Sequence, residues 1–92
     1  MRDKLYIKTR LDNVCLERIP QDPELQRKHQ ERIRVLTWIF NLGELRTEQE
    51  LQTELRNANE EIICYEKLQF NNKLLGQLAE IRKSEIENIL EI

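Results

Sequence analysis

Residues 47–92 read TEQELQTELRNANEEIICYEKLQFNNKLLGQLAEIRKSEIENILEI, and this half of the chain contains no proline. Apolar residues recur in it at alternating spacings of four and three, which is the period of a coiled-coil seam. The seam positions are Leu51, Leu55, Ala58, Ile62, Tyr65, Gln69 and Asn72. Because further apolar residues spread onto a second face, a bundle of three or four helices is favoured over a two-stranded coil. The sequence therefore predicts one long helix over residues 47–92. The alternative is a kink or short turn marked by Asn71 and Asn72 together with Gly76.

A turn at residues 41–47 is predicted to precede this long helix. Thr47 and Glu50 have the spacing of a capping box, in which each side chain binds the backbone N–H of the other residue. Gly43 can adopt the left-handed conformation that closes the preceding helix. The alternative is a helix that continues through Gly43, because a glycine costs only about 1 kcal/mol relative to alanine.

Two shorter helices are predicted upstream of the turn. The first is expected at about residues 3–19 and ends before Pro20 and Pro23, which cannot donate backbone hydrogen bonds. The second is expected at about residues 23–42, with Asp22 as its N-cap and Pro23 in its first turn. The predicted fold class is all-α: an N-terminal helical hairpin (residues 1–46) and a long C-terminal helix (residues 47–92), assembled as a coiled-coil-like oligomeric helical bundle.

The helix lengths predict an uncovered apolar surface. At 1.5 Å per residue the long helix would span about 65 Å, while the first two helices would span about 25–30 Å each. The end of the long helix would then project beyond its own chain, and exposed apolar surface of this kind marks an interaction site. The predicted interface residues are Leu74, Leu75, Leu78, Ile81, Ile86 and Ile89, with Trp38 and Phe40 as candidate anchors.

The composition restricts the functional classes. The chain of 92 residues has a net charge of −2 and two cysteines, too few for a disulfide framework. The charge is +3 over residues 1–46 and −5 over residues 47–92, so either the two halves pair or an acidic face meets a basic partner. The longest charge-free run, residues 35–43, is far shorter than the roughly 20 apolar residues that span a membrane. We expect no membrane insertion, and a reducing compartment, cytoplasmic or nuclear.

Residues with catalytic or metal-binding potential are few. The single histidine, His29, lies on the apolar side of the second helix and is interpreted as a boundary residue of the bundle. Neither Cys15 nor Cys64 has a cysteine or histidine at metal-ligand spacing, and the two glycines, Gly43 and Gly76, do not form a phosphate loop. We therefore predict no enzyme activity, no metal and no cofactor.

The predicted function is a non-enzymatic interaction module, an oligomerisation or scaffold subunit of a multiprotein assembly that forms a homodimer or a hetero-oligomer. The alternative is a small regulatory adaptor with weak nucleic-acid contact through Arg27, Lys28 and Arg34, although acidic neighbours within one helical turn favour ion pairing instead. The polar seam residues Gln69 and Asn72 either fix the register or the number of helices, or are ordinary exposed polar positions. The C-terminus lacks a capping glycine or basic last turn, so we expect a longer helix or a cap supplied by a partner.

Overall fold

Four helices and one short hairpin form the fold in the computed structural model, which describes residues 1–41, 43–67 and 73–92. The helices are α1 (Lys4–Leu16), α2 (Pro23–Ile39), α3 (Glu48–Lys67) and α4 (Lys73–Leu90). The hairpin pairs β1 (Phe40–Asn41) with β2 (Glu44–Leu45) in antiparallel orientation. The protein is mostly helical, which confirms the predicted all-α class.

The predicted single helix over residues 47–92 is wrong, because α4 folds back onto α3. A straight helix over residues 48–90 would be about 65 Å long, whereas the longest dimension of the molecule is 40 Å. Arg82 of α4 also donates a hydrogen bond to Glu61 of α3. The predicted register positions Gln69 and Asn72, and the alternative turn at residues 71–72, lie outside the described residues.

The hydrophobic core lies where α4 packs against both α2 and α3. α1 contacts α2 at the edge of this arrangement. Burial of apolar side chains is the main favourable contribution to folding. Because α4 folds back, it buries its apolar side chains against two helices of its own chain. The buried apolar residues are Ile7, Val14, Val35, Leu36, Ile39, Leu51, Ala58, Leu78, Ala79, Ile86, Ile89 and Leu90.

The predicted starts of α2 and α3 are confirmed. The carboxylate of Asp22 accepts hydrogen bonds from the backbone N–H groups of Glu24 at 2.8 Å and Leu25 at 3.4 Å. At α3, the backbone N–H of Glu50 donates to the Thr47 hydroxyl at 3.2 Å, and the backbone N–H of Thr47 donates to the Glu50 carboxylate at 3.2 Å. Both helix starts are therefore fixed by residues that are neighbours in sequence.

α1 ends three residues earlier than predicted. Glu17 leaves the helix with an extended backbone, at ψ 144°. Pro20 has no N–H to donate to the carbonyl of Leu16, and in a continuing helix its ring would collide with that carbonyl. The effect of the proline therefore reaches back one full turn, and α1 ends at Leu16.

α2 ends at Ile39 rather than at residue 42, because the chain continues as the hairpin. Phe40 pairs with Leu45, and Asn41 pairs with Glu44. Gly43 has φ +83°, which confirms its left-handed conformation. It adopts this conformation in the hairpin and not as the residue that closes α2.

The C-terminal end of α4 is capped by the chain itself. Glu91 adopts a left-handed conformation with φ 64°, and the backbone N–H of Ile92 donates to the carbonyl of Glu87 at 3.1 Å. This is a Schellman-type cap in which glutamate takes the usual place of glycine. The backbone N–H of Arg2 also donates to the carbonyl of Ile89 at 2.7 Å. The expected cap from a partner is therefore supplied by this chain's own residues.

Candidate interaction surface

α1 is attached to the bundle through one apolar face. Ile7 and Val14 are fully buried, and Leu11 packs against the same core with part of its surface exposed. Their spacings of four and three place all three side chains on one side of the helix. The opposite side of α1 consequently faces solvent.

A partly buried ion pair fixes α1 against α4. The Arg10 guanidinium binds the Glu85 carboxylate, with Nη2 at 2.8 Å from Oε1 and Nε at 3.4 Å from Oε2. Glu85 is 5% exposed, and its hydrogen bonds with Arg10 raise the pKa of the Arg10 guanidinium against the opposing effect of burial. The Asn88 side-chain amide also donates to the Tyr6 hydroxyl at 3.1 Å. These contacts give α1 a defined position and rotation on the bundle.

The side of α1 that faces away from the bundle exposes large apolar residues. Leu5 is 73% exposed and Leu16 is 83% exposed. They lie eleven residues apart, which is within about 20° of three complete turns at 3.6 residues per turn. Ile19 and Leu25, 68% and 49% exposed, follow at the corner between α1 and α2. We call these four residues the α1 surface.

The α1 surface differs from scattered surface leucines, which are normal in folded proteins. A helix with apolar residues on opposite sides is expected to be buried on both, and in this chain only the side of α1 with Ile7 and Val14 is buried. Exposed apolar residues grouped in one part of a protein mark interaction sites. The α1 surface is therefore the candidate functional site.

A second polar cluster surrounds Arg82 and joins three helices. The Arg82 side chain is 13% exposed and lies among carboxylates of α2 and α3, those of Glu31, Glu54 and Glu61. Its Nη2 donates to Glu61, and its Nη1 lies 3.6 Å from Glu54. Its Nε lies 3.4 Å from Glu31 but, within the described structure, makes no hydrogen bond. The guanidinium thus neutralises acids of neighbouring helices, which is a structural role.

The six predicted interface residues of α4 are buried or half-buried by their own chain. Leu78, Ile86 and Ile89 are buried in the core. The other three are half-buried, namely Leu74, Leu75 and Ile81. For the three buried residues the prediction is wrong, because it assumed an extended helix and the structure packs α4 onto α2 and α3. A role of the three half-buried residues in an interface stays a prediction.

The two candidate anchors, Trp38 and Phe40, are half-buried at the edge of the core. The Arg46 guanidinium lies over the Trp38 ring, 5.0 Å from its centroid, and Arg46 Nε donates to the Trp38 carbonyl at 3.1 Å. A cleft of about 170 Å³ between the helices is lined by Trp38 together with residues such as Arg34 and Glu54. Their role as anchors for a partner stays a prediction.

The basic cluster of α2, formed by Arg27, Lys28 and Arg34, includes one arginine that is already in an ion pair. Arg34 binds the carboxylate of Glu31, one turn earlier on the same helix. Lys28 is half-buried, whereas Arg27 is exposed. The neighbouring His29 is 5% exposed, with Nδ1 3.8 Å from a Glu17 carboxylate oxygen, so it is buried and not a boundary residue as predicted.

The remaining features concern metal ligands, the apolar length of the helices and the two cysteines. Within the described ranges, no group of three or more His, Cys, Asp or Glu residues is placed to hold a metal ion. In the same ranges, no helix combines the length and apolar character needed to cross a bilayer. Cys15 and Cys64 are free thiols on the surface.

The α1 surface was missed by the sequence prediction, although the sequence contains a signal for it. The eleven-residue spacing of Leu5 and Leu16 places both residues opposite Ile7 and Val14, so no single face could bury all four. Comparison of the chain with protein families, with curated proteins and with solved structures found no match. The functional inference therefore depends on the chain's own residues.

Proposed function

We propose that this protein is a non-enzymatic helical interaction module, an oligomerisation or scaffold subunit of a multiprotein assembly, and that it binds its partner through the α1 surface. The observation that carries the proposal is the exposure of Leu16 at 83% and Leu5 at 73% on the side of α1 that faces away from the core. The sequence predicted a contact through α4, but its apolar residues are buried or half-buried. We therefore place the proposed contact on α1.

The energetics support a binding role for this surface. Complete burial of a leucine or isoleucine side chain contributes roughly 1.5–3 kcal/mol relative to exposure. The ion pair between Arg10 and Glu85 already holds α1 in position, so less conformational freedom is lost on binding than for a flexible segment. The surface is therefore preorganised for a protein partner.

Two secondary features agree with a partner that is a protein in a reducing compartment. The exposed free thiols of Cys15 and Cys64 are typical of cytoplasmic or nuclear proteins. The net charge of −2 gives no general attraction to nucleic acid. The alternative function, nucleic-acid contact through the basic cluster of α2, is weakened because Arg34 is paired with Glu31.

Photo-crosslinking tests the proposal directly. A photoreactive amino acid is placed at Leu16 or Ile19 in the full chain, and crosslinking is carried out in cells that naturally produce the protein. We expect discrete crosslinked products from both positions. The matched control is Thr53, which is exposed on a different helix, α3.

The pattern of products decides the outcome. Products from Ile19 that disappear when Leu16→Glu is added would support the α1 surface, because both residues belong to the same contact. Equal products from Thr53, or none from Leu16 and Ile19, would contradict the proposal. Circular dichroism of each variant verifies that the helices are retained.

A further inference from the structure

We infer that the occupant of the α1 surface is a second copy of this chain, packed with its α1 antiparallel to the first around a twofold axis. This inference depends on the proposed function, since it names the partner of the same surface. The inference is based on the order of residues along the exposed side of α1. When one of two copies is reversed, apolar residues of the two copies face each other and residues of opposite charge come close together.

The exposed side of α1 forms one continuous stripe. Leu5, Thr9, Asp12 and Leu16 follow each other at spacings of four, three and four residues, and all four are exposed. Such spacings place side chains along a single line of a helix. The two leucines stand at the ends of the stripe, about 16 Å apart at 1.5 Å per residue, and the two polar residues occupy its centre.

An antiparallel pairing about the centre of this stripe brings the leucines of the two copies together. With the twofold axis between residues 10 and 11, Leu5 of one copy lies opposite Leu16 of the second copy. Thr9 then lies opposite Asp12, and its hydroxyl can donate to that carboxylate. Because a twofold interface uses the same patch on both copies, each contact occurs twice, and all four leucines are covered.

The charges beside the stripe favour the same arrangement. Lys8 lies beside the stripe, on the side toward which Asp12 of the stripe is offset, and both residues are exposed. Within the ranges that the structure describes, neither forms a salt bridge. In the antiparallel pair Lys8 lies within about one residue of Asp12 of the second copy, or 1.5 Å along the axis. A parallel pair would instead place the Asp12 carboxylates of the two copies opposite each other in the centre of the stripe, which is repulsive.

The interface would be small, because it is built around one helix from each copy. Stable protein interfaces usually bury at least about 1,200 Å² in total, and smaller ones are weak and transient. We therefore expect a concentration-dependent equilibrium between monomer and dimer.

Sedimentation equilibrium of the full chain over a wide concentration range tests the pairing of charges. Lys8→Glu and Asp12→Lys are each expected to raise the dimer dissociation constant about tenfold, because every dimer carries the change twice and like charges then meet. The double variant reverses both signs and is expected to return to within about threefold of the natural chain. An ion pair within one helix would not affect the concentration dependence, so the rescue reports contact between copies.

Disulfide crosslinking tests the direction of the pair. In a chain with Cys15→Ser and Cys64→Ser, the single variants Leu5→Cys and Leu16→Cys are prepared separately and then mixed. An antiparallel pair gives a crosslink between the two variants and none within either variant alone, because residues 5 of the two copies are about 16 Å apart. Crosslinks within Leu5→Cys alone would indicate a parallel pair and overturn the inference.

The results separate this inference from the proposed function. A chain that stays monomeric at all concentrations, or a dimer that the double charge reversal does not restore, overturns the antiparallel second copy. If Leu16 nevertheless crosslinks to a different protein in cells, the α1 surface keeps its proposed role with another occupant. If Leu16 and Ile19 crosslink to nothing, both proposals fail.

Discussion

α1 and α4 both carry apolar residues on more than one side, but the structure uses them in opposite ways. α4 packs against α2 and α3 and buries five apolar residues, namely Leu78, Ala79, Ile86, Ile89 and Leu90. α1 lies at the edge and buries only Ile7 and Val14, while Leu5 and Leu16 face solvent. The number of sides on which a helix is packed, and not its apolar pattern alone, decides which of its residues remain available for binding.

Truncation of one residue in each helix is expected to show the largest difference. Ile86 is fully buried, so Ile86→Ala should lower the free energy of unfolding by about 3–4 kcal/mol through lost burial and the cavity left behind. Leu16→Ala should change it by less than about 0.5 kcal/mol. Urea denaturation at a concentration that favours the monomer measures both. Equal losses would contradict the assignment of α4 to the core and α1 to the surface.

Removal of the Arg82 side chain tests how strongly its contacts with α2 and α3 stabilise the packing of α4. Arg82→Ala should lower the free energy of unfolding by about 2–3 kcal/mol, because it leaves several carboxylates close together without a counter-charge. The matched control is Arg56→Ala, an exposed arginine of α3, which should change stability by less than about 0.5 kcal/mol. Similar losses for the two variants in urea denaturation would show that the cluster does not stabilise the packing of α4.

The ion pair between Arg10 and Glu85 joins α1 to α4. Arg10→Ala should cost about 1–2 kcal/mol, because it leaves the buried Glu85 carboxylate without its hydrogen-bond donor. Amide hydrogen exchange should become faster in α1 than in α4, since α1 has fewer buried residues to hold it. Lys8→Ala, an exposed neighbour on α1, is the control. Uniform acceleration throughout the chain would indicate that α1 does not open separately.

A substitution in the C-terminal cap of α4 is expected to have a smaller effect, and it should raise the free energy of unfolding instead of lowering it. Glu91→Gly should raise the free energy of unfolding by about 0.5 kcal/mol, because glycine adopts the left-handed conformation without strain. The substitution also removes the exposed ion pair between Glu91 and Arg2. Because exposed ion pairs contribute little to stability, this loss reduces the gain only slightly. Glu87→Gly, inside α4, should instead destabilise the chain by about 1 kcal/mol. Thermal unfolding of both variants shows whether the signs differ.

The smallest expected effect concerns the capping box of α3, whose contribution to stability depends on pH. Hydrogen bonds from the backbone and side chain of Thr47 lower the pKa of Glu50 from its ordinary value of 4.5. Since the folded-state pKa is lower than the unfolded one, the box stabilises the start of α3 above pH 4.5, and this contribution is lost as the pH falls through the folded value. The contribution should disappear in Glu50→Gln and remain in Glu48→Gln, as measured by acid titration of helicity. Identical titrations would contradict it.

The local parts of the fold were predictable from the sequence. Asp22 and the pair Thr47 and Glu50 cap their helices through hydrogen bonds that span two or three residues, so the sequence contains the complete interaction. The positive φ of Gly43 was predicted for the same reason, since glycine alone adopts it without cost. Its position in a hairpin was not predicted, because the pairing of Phe40 with Leu45 competes with the last turn of α2.

The candidate site was not predicted because burial depends on long-range packing. The sequence indicates that Leu16 and Ile86 are both apolar, but it does not show which of them the chain will cover. The Arg10 and Glu85 side chains meet although they are 75 residues apart, and no periodicity reports such a contact. An extended α4 gave the wrong interface because an uninterrupted helical pattern contains no information on where the chain reverses.

By itself, the sequence determined the all-α class, the starts of α2 and α3, and the apolar stripes along each helix. These properties follow from backbone hydrogen bonding and from the helical period, which act over one or two turns. Only the tertiary structure decided that α4 is the core and that one side of α1 remains exposed. The physical reason is that burial is gained from whichever surfaces come together, and helices far apart in the chain meet only in the folded molecule.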